Sequence, residues 1–305
     1  MKNVLVTGGA GCIGSSLVHA LMDNGNYFVH VVDNFLTGNI NNLPNGCSFT
    51  ECDINEYSEI SSIMNDKKFD IVFHYAAMVG VQRTQESPLD VLNDVNGIKN
   101  VLELSRITGV KRVFYSSSSE VYGEAVTLPQ NESTTPLNSR VPYAIVKNIG
   151  EAFFKSYFQE FGLEYTIFRF FNTYGPSQSD DFVVPRFINN AFSNKDICIY
   201  GDGKQSRTFL YIKDNVDFTM SVLSNNLFVN DTVNVGSDNK ITIKELAIAI
   251  KQVLGSSSKI KYIDPLKDGD MSRRQPDISK MRTYYKNDFI NIESGIKYIF
   301  DLMKK

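Results

Sequence analysis

Two groups of residues in this chain have types and spacings that can do chemistry. The first is Thr7-Gly8-Gly9-Ala10-Gly11-Cys12-Ile13-Gly14, with Gly8, Gly11 and Gly14 at three-residue spacing. It follows the β-branched run Lys2 to Val6 and precedes a helical pattern from about Ile13 to Asp23. Glycines here let a phosphate approach the backbone, and the helix N-terminus offers it unpaired N–H groups and partial positive charge. Three glycines alone also serve ordinary tight turns. Asp33 strengthens the dinucleotide reading, because it ends the next strand-like run about 20 residues after the last glycine, where a ribose-binding carboxylate belongs. A carboxylate there repels a 2′-phosphate, so NAD is expected rather than NADP. Asp53 either reaches the adenine or caps a helix in Asp53-Ile54-Asn55-Glu56.

The second group is Tyr143-Ala144-Ile145-Val146-Lys147. Residues four apart share a helix face. An ammonium beside a phenol favours the phenolate, which turns Tyr143 into a candidate base near neutral pH. Spacing alone is weak evidence: Tyr200 and Lys204 match it too, across two glycines that disfavour a helix. Judged on spacing only, Tyr143 and Lys147 read as an exposed helix pair.

These residues need elements to position them. Val29 to Asp33, Ile71 to Phe73, Val113 to Tyr115 and Tyr165 to Arg169 read as further strands. Between them, Leu89 to Thr108 and Tyr143 to Phe161 carry helical periodicity. Strands alternating with helices predict an α/β fold, a Rossmann-like doubly wound parallel sheet. The rhythm changes near Asn172, where prolines and glycines multiply and segments shorten. The expected division is a dinucleotide-binding domain over 1–171, joined by part of 207–236, and a smaller mixed substrate lobe over 172–305.

Composition excludes several classes of function. The 305 residues are 42% hydrophobic and 21% charged, with a formal charge of −3. No basic field points to nucleic acid or an anionic membrane, so an anionic ligand must be held by local groups. The opening residues do not read as a signal peptide, and the longest apolar stretch, about Ile71 to Val81, is too short to span a bilayer. Cys12, Cys47, Cys52 and Cys198 form no CxxC pair or zinc set. They are expected to be reduced thiols in a cytoplasmic protein that binds no metal.

Taken in order, these residues resemble a known family. The glycine turn, Asp33, Asp53, His74-Tyr75-Ala76-Ala77, Ser116 to Gly123, Tyr143 with Lys147, and Arg169-Phe170-Phe171-Asn172-Thr173-Tyr174-Gly175-Pro176 are similar to the extended short-chain dehydrogenase/reductases. The resemblance is to the branch that works on nucleotide sugars as epimerases, dehydratases and decarboxylases, and it covers nearly the whole chain. It implies that Gly8, Gly11, Cys12, Ile13, Gly14, Asp33, Asn34, Asp53, Ile54, Tyr75, Ala76, Ala77, Ser116, Tyr143 and Lys147 bind NAD. Tyr143 would remove the hydroxyl proton, Lys147 would hold the nicotinamide ribose and tune Tyr143, and Ser118 would hold the same hydroxyl. Ser119, Glu120, Asn172, Arg186, Tyr200, Arg207 and Arg274 would meet the nucleotide-diphosphate sugar, with Arg207 on its diphosphate. Arg207 as a plain surface arginine is the competing reading.

Two segments bear on the branch. Ser119-Glu120 resembles UDP-glucuronate decarboxylases and GDP-mannose dehydratases. Ser272-Arg273-Arg274-Gln275-Pro276-Asp277 resembles the decarboxylase segment whose arginine faces the substrate, here Arg274, or Arg273 if the register slips by one. By contrast, Met78 to Thr84 looks epimerase-like, and Cys12 replaces the usual aromatic residue of the glycine turn. The expected activity is oxidation at C4 of a nucleotide-diphosphate sugar, of epimerase type. Decarboxylation, 4,6-dehydration and net 4-dehydrogenation are alternatives, and a non-catalytic NAD-binding regulator is the alternative of another class. Glu120 either faces the sugar or only bonds to its loop. Apolar residues on more than one side of the helices near Val95 to Ser105 and Ala144 to Phe158 predict a homodimer.

Overall fold

The computed structural model describes residues 1–265 and 273–304; Ser272 lies outside the described residues. The first half largely alternates strand and helix. It runs β1 (Lys2–Thr7), α1 (Cys12–Asn24), β2 (Tyr27–Asp33), β3 (Ser48–Glu51), α2 (Tyr57–Lys67), β4 (Ile71–His74), α3 (Val81–Glu86), α4 (Pro88–Thr108), β5 (Arg112–Ser118), α5 (Pro142–Phe161) and β6 (Glu164–Phe170). The second half is more broken. It runs β7 (Thr173–Tyr174), α6 (Val183–Phe192), β8 (Ile197–Tyr200), β9 (Ser206–Thr208), β10 (Leu210–Tyr211), α7 (Ile212–Ser224), β11 (Asp231–Val235), β12 (Lys240–Thr242), α8 (Ile243–Leu254), β13 (Ile260–Ile263), α9 (Ser279–Arg282) and α10 (Ile292–Met303).

Seven strands form one parallel sheet in the order β11-β6-β5-β4-β1-β2-β3. This is the Rossmann-like α/β fold that the alternation predicts. Side chains alternate between its faces, as the two-residue period of a strand demands. Leu5, Val72, Val113 and Tyr115 go to the core under α2, α4 and α5, while Val4, Val6, Phe73 and Phe114 go to the core under α1 and α7. Phe73 and Phe114 are register partners, stacked at 4.5 Å, and Phe168 continues the ladder at 5.9 Å. Such ring pairs add about 0.5–1.5 kcal/mol beyond the burial of their area.

The chain does not stay in the second lobe once it leaves the large sheet. α7 packs against α1, and β11 pairs with β6 at the sheet edge. Ile278, Met281 and Tyr285 also pack into the core of the large sheet. A third core, formed by α6, α8 and α10 with the short sheets β8–β13, β9–β12 and β7–β10, makes up the smaller lobe.

One close contact sets how α5 lies on the sheet. A Cβ on Gly150 would stand 2.2 Å from the Tyr115 hydroxyl, which is buried and has no hydrogen-bond partner among the described residues. Gly150→Ala is therefore expected to destabilise the protein by about 1–3 kcal/mol, the usual cost of overpacking. Adding Tyr115→Phe, which deletes the offending oxygen, is expected to recover most of the loss. Denaturant unfolding of the single and double variants checks this, and an unchanged midpoint for Gly150→Ala would count against the contact.

Candidate functional site

β1 and β4 are neighbours in the sheet, but the chain reaches β4 only after crossing to the far edge through β2 and β3. A crevice opens at the carboxyl ends of strands where the order reverses in this way. A cavity of about 910 Å³ lies there, its lining including the glycine turn, Phe209 and Arg274.

The turn after β1 has three glycines with different reasons for being glycine. Gly8 has φ +67, and a Cβ there would meet the Ala76 backbone at 2.6 Å. A Cβ on Gly14 would sit 2.2 Å from the Gly8 carbonyl oxygen, so α1 packs directly on the turn. Gly11 is the exception: φ is −76, and an added Cβ would meet only the Gly8 oxygen, at 3.4 Å. The protein's own packing leaves that space free beside the cavity. Gly11 is also the N-cap of α1 and offers no side-chain cap to its first turn. A cradle of open backbone N–H groups at a helix N-terminus suits a pyrophosphate.

Asp33 ends β2 and accepts the Ala10 N–H at 2.9 Å and the Phe35 N–H at 2.8 Å. Two such bonds fix its carboxylate at the cavity wall with lone pairs to spare for a ribose diol. Asn34, Asp53 and Ile54 line the same end. Asp53 is not the helix cap: α2 starts at Tyr57 with Glu56 in the N-cap position, and Asp53 instead accepts the Asn55 N–H at 2.9 Å. Tyr75, Ala76 and Ala77 cross the floor, held by Thr7, whose hydroxyl accepts the Tyr75 and Ala76 N–H groups at 3.1 and 3.2 Å. These residues, with Cys12 and Ile13, fit the dinucleotide that the turn predicts.

At the centre, Lys147 donates to the Ser116 carbonyl at 2.7 Å and lies 5.8 Å from the Tyr143 ring centroid. Both line the cavity, so this is not an exposed helix pair. Burial pulls the Lys147 pKa down to about 8, with Asp94 opposing that fall. Burial pushes the Tyr143 phenol well above its ordinary range, opposed by a hydrogen bond to Ser118; Glu120 and Asp94 add to the rise and Arg274 counters it. A phenol in this setting becomes a base only when positive charge is close.

Next to Tyr143, the segment after Ser118 does not stay extended. The Ser118 hydroxyl accepts the Glu120 N–H at 3.2 Å and caps a 3-10 turn over Ser119–Tyr122. Ser118, Ser119 and Glu120 still all reach the cavity. Arg274, 8% exposed, donates to Glu120 Oε1 at 2.8 Å and to the Ser119 hydroxyl at 3.4 Å. Arg273 is exposed, so the inward arginine is Arg274. Asn172, at φ +27, lines the cavity and donates from its amide to the Thr208 carbonyl at 3.0 Å.

Three expected substrate residues stand outside this lining. Arg186 stacks on Tyr200 at 5.4 Å within the smaller lobe. Arg207 is buried on β9 and donates to the Ser206 carbonyl at 2.9 Å. Other residues reach the lining without a chemical signature of their own, among them Thr37, Gln178 and Phe182. Asp94 also reaches it, and Asp94 had a signal. It sits three residues after buried Val91 and four before buried Ile98, which puts a carboxylate on the apolar face of α4.

Among the described residues, no group of three or more His, Cys, Asp or Glu is placed to hold a metal, and no helix is long and apolar enough to cross a membrane. Residues 4–236 match the model of the NAD dependent epimerase/dehydratase family. A Methanocaldococcus jannaschii protein provisionally named UDP-glucose 4-epimerase is 35% identical over 99% of this chain and 98% of its own. The UDP-N-acetyl-alpha-D-glucosaminuronate decarboxylase of Bacillus cytotoxicus is 34% identical over 97% of this chain and 96% of its own. The crystal structure of UDP-glucose 4-epimerase with UDP-glucose from Thermotoga maritima superposes with a TM-score of 0.92, at 31% identity, covering 99% of this chain and 100% of that one.

Asp33→Ala is expected to weaken NAD binding by about 10- to 100-fold, as loss of charge-assisted hydrogen bonds does, and to narrow the preference for NAD over NADP. Titration calorimetry with both nucleotides checks this; wild-type protein that binds NADP more tightly than NAD would overturn it.

Proposed function

The chain belongs to the NAD-dependent epimerase/dehydratase family, and from that membership we propose that it oxidises C4 of a UDP-sugar and then acts at C5, releasing carbon dioxide from a hexuronic acid. The observation that carries the second half is the Glu120–Arg274 pair at 2.8 Å, set in the cavity beside Ser118 and Tyr143. In this reading the cofactor lies against residues 1–171 with the returning part of 207–236, and the sugar between that domain and the lobe formed by 172–305.

The glycine turn, Asp33 and Lys147 would hold NAD, which would supply the hydride acceptor, and later donor, at C4. Tyr143 takes the proton of the C4 hydroxyl, Ser118 holds that oxygen, and Lys147 keeps positive charge near the phenol. The 4-ketone makes a C6 carboxylate a β-keto acid. The C5–C6 bond then breaks, carbon dioxide leaves, and the electron pair passes into a C4–C5 enolate. Arg274 orients the carboxylate before it leaves. Glu120 holds Arg274 in place and stands near the carbon that regains a proton. A pair of opposite charges has little to do in simple epimerisation, where the sugar must turn over freely. The decarboxylase of Bacillus cytotoxicus, 34% identical over nearly the full length, supports this reading. The epimerases among the similar proteins support C4 epimerisation as the second reading, and oxidation at C4 is common to both.

α4 and α5 pack on each other and leave Leu92, Ile145, Ile149 and Phe158 more than a third exposed. A homodimer that covers this face is part of the proposal. Light scattering is expected to give twice the chain mass; a monomer at micromolar concentration would remove it.

Incubation with UDP-glucuronate, its N-acetylated counterpart and UDP-glucose, read by mass and NMR, tests the reaction. Loss of carbon dioxide from a uronic acid is expected. Arg274→Gln should slow that loss by about 10²–10³-fold, the scale of losing one anion-binding donor. Tyr143→Phe should slow every substrate by about 10²–10⁴-fold. A 4-epimer from UDP-glucose, with no reaction of either uronic acid, would move the assignment to epimerase.

A further inference from the structure

We propose that Asp94 is a positioning residue of the catalytic pair, the counter-charge that keeps Lys147 an ammonium while pinning the turn after β4 against the cofactor cavity. The inference rests on the C4-oxidation reading of the site.

A carboxylate on the buried side of a helix must be hydrogen-bonded or paired. Asp94 accepts the Met78 N–H at 2.7 Å, across the gap from α4 to the segment after β4. It also accepts a side-chain hydrogen bond from Asn55, whose own oxygen is taken by the Gly97 N–H at 3.0 Å. Asn55, Met78, Asp94 and Lys147 all line the one cavity. These bonds set the Asp94 carboxylate on the wall of the cavity that holds Lys147 and Tyr143.

Lys147 donates to a carbonyl and a hydroxyl, both on Ser116. Neutral acceptors alone hold a buried ammonium poorly. Asp94 is the negative charge that offsets the burial of Lys147, and Lys147 in turn works against the burial that raises Asp94. The other titratable groups facing the pair come from every side. They are His74 from β4, Tyr115 from β5, Tyr143 on α5, Asp53 from the segment after β3, and Glu120 with Arg274 at the sugar end. His74 is buried and stays neutral, its pKa lowered to about 3 by burial and then by Lys147. Glu120 is already engaged by Arg274.

The sign of the effect is testable because Asp94 acts on two groups in the same direction. Its charge raises the pKa of Lys147 and that of Tyr143. Asp94→Asn keeps an oxygen for Met78 and removes only the charge. The Lys147 midpoint, followed by NMR of ¹³C-labelled lysine in the purified full-length protein and assigned with Lys147→Arg, is expected to fall by about one pH unit. The bell of sugar oxidation against pH should move to lower pH on both limbs. Asp94→Glu, which keeps the charge, should stay at the wild-type position. A role confined to pinning Met78 would lower the bell without moving it, and an unmoved Lys147 midpoint in Asp94→Asn overturns the proposal. Wild-type protein that never forms NADH with any nucleotide sugar would instead sink the functional reading, and the lysine titration would still judge Asp94.

Discussion

The site depends on one buried ion pair that is not itself in it. Tyr143, Lys147 and Glu151 are four residues apart on α5, so they share one face. Glu151, 1% exposed, accepts Arg169 Nε at 2.8 Å and a terminal nitrogen at 2.6 Å, and the Ser117 hydroxyl at 2.6 Å. Arg169 donates onward to the Tyr122 hydroxyl at 2.8 Å, which donates to Asn234 at 2.8 Å. One network therefore ties the catalytic face of α5 to β5, to β6, to the turn that carries Glu120, and to the edge strand β11. Burial disfavours charge on Arg169, and its bonds to Glu151 raise its pKa regardless. Such a pair adds little net stability against an apolar replacement, while breaking it costs about 3–5 kcal/mol. Its contribution here is geometric: it fixes the rotation of the helix that carries Tyr143 and Lys147.

With the frame locked, the cavity manages charge locally. A net charge of −3 provides no attractive field for a nucleotide diphosphate. The cavity wall nevertheless holds Lys147, bonded to Ser116, and Arg274, paired with Glu120. Burial alone disfavours both the phenolate of Tyr143 and the ammonium of Lys147, and neighbouring charges shift both, since Coulomb interactions strengthen as water is excluded.

Much of this frame was legible in the chain. The glycine turn, Asp33 and the alternation of strand and helix are local patterns, and local backbone sterics read them the same way in any protein. Element limits moved by one to three residues, as element ends do. Asp53 shows where local reading fails: Asp-x-x-Glu before a helix looks like a cap, yet the helix starts later, at Tyr57. The Tyr143–Lys147 spacing was equally ambiguous. It gained meaning only because α5 turns that face inward.

The amino-acid sequence by itself determined the class of fold, the strand–turn–helix that can cradle a pyrophosphate, the carboxylate that favours NAD, and the presence of a tyrosine and lysine one helical turn apart. Each follows from neighbours in the chain and the period of its element. Tertiary structure alone decided that Arg274 and not Arg273 turns inward, that it meets Glu120, 154 residues earlier, and that Asp94 shares a cavity with Lys147. These are contacts through space between distant segments. Electrostatic energy depends on separation and burial, and neither is a function of position along the chain.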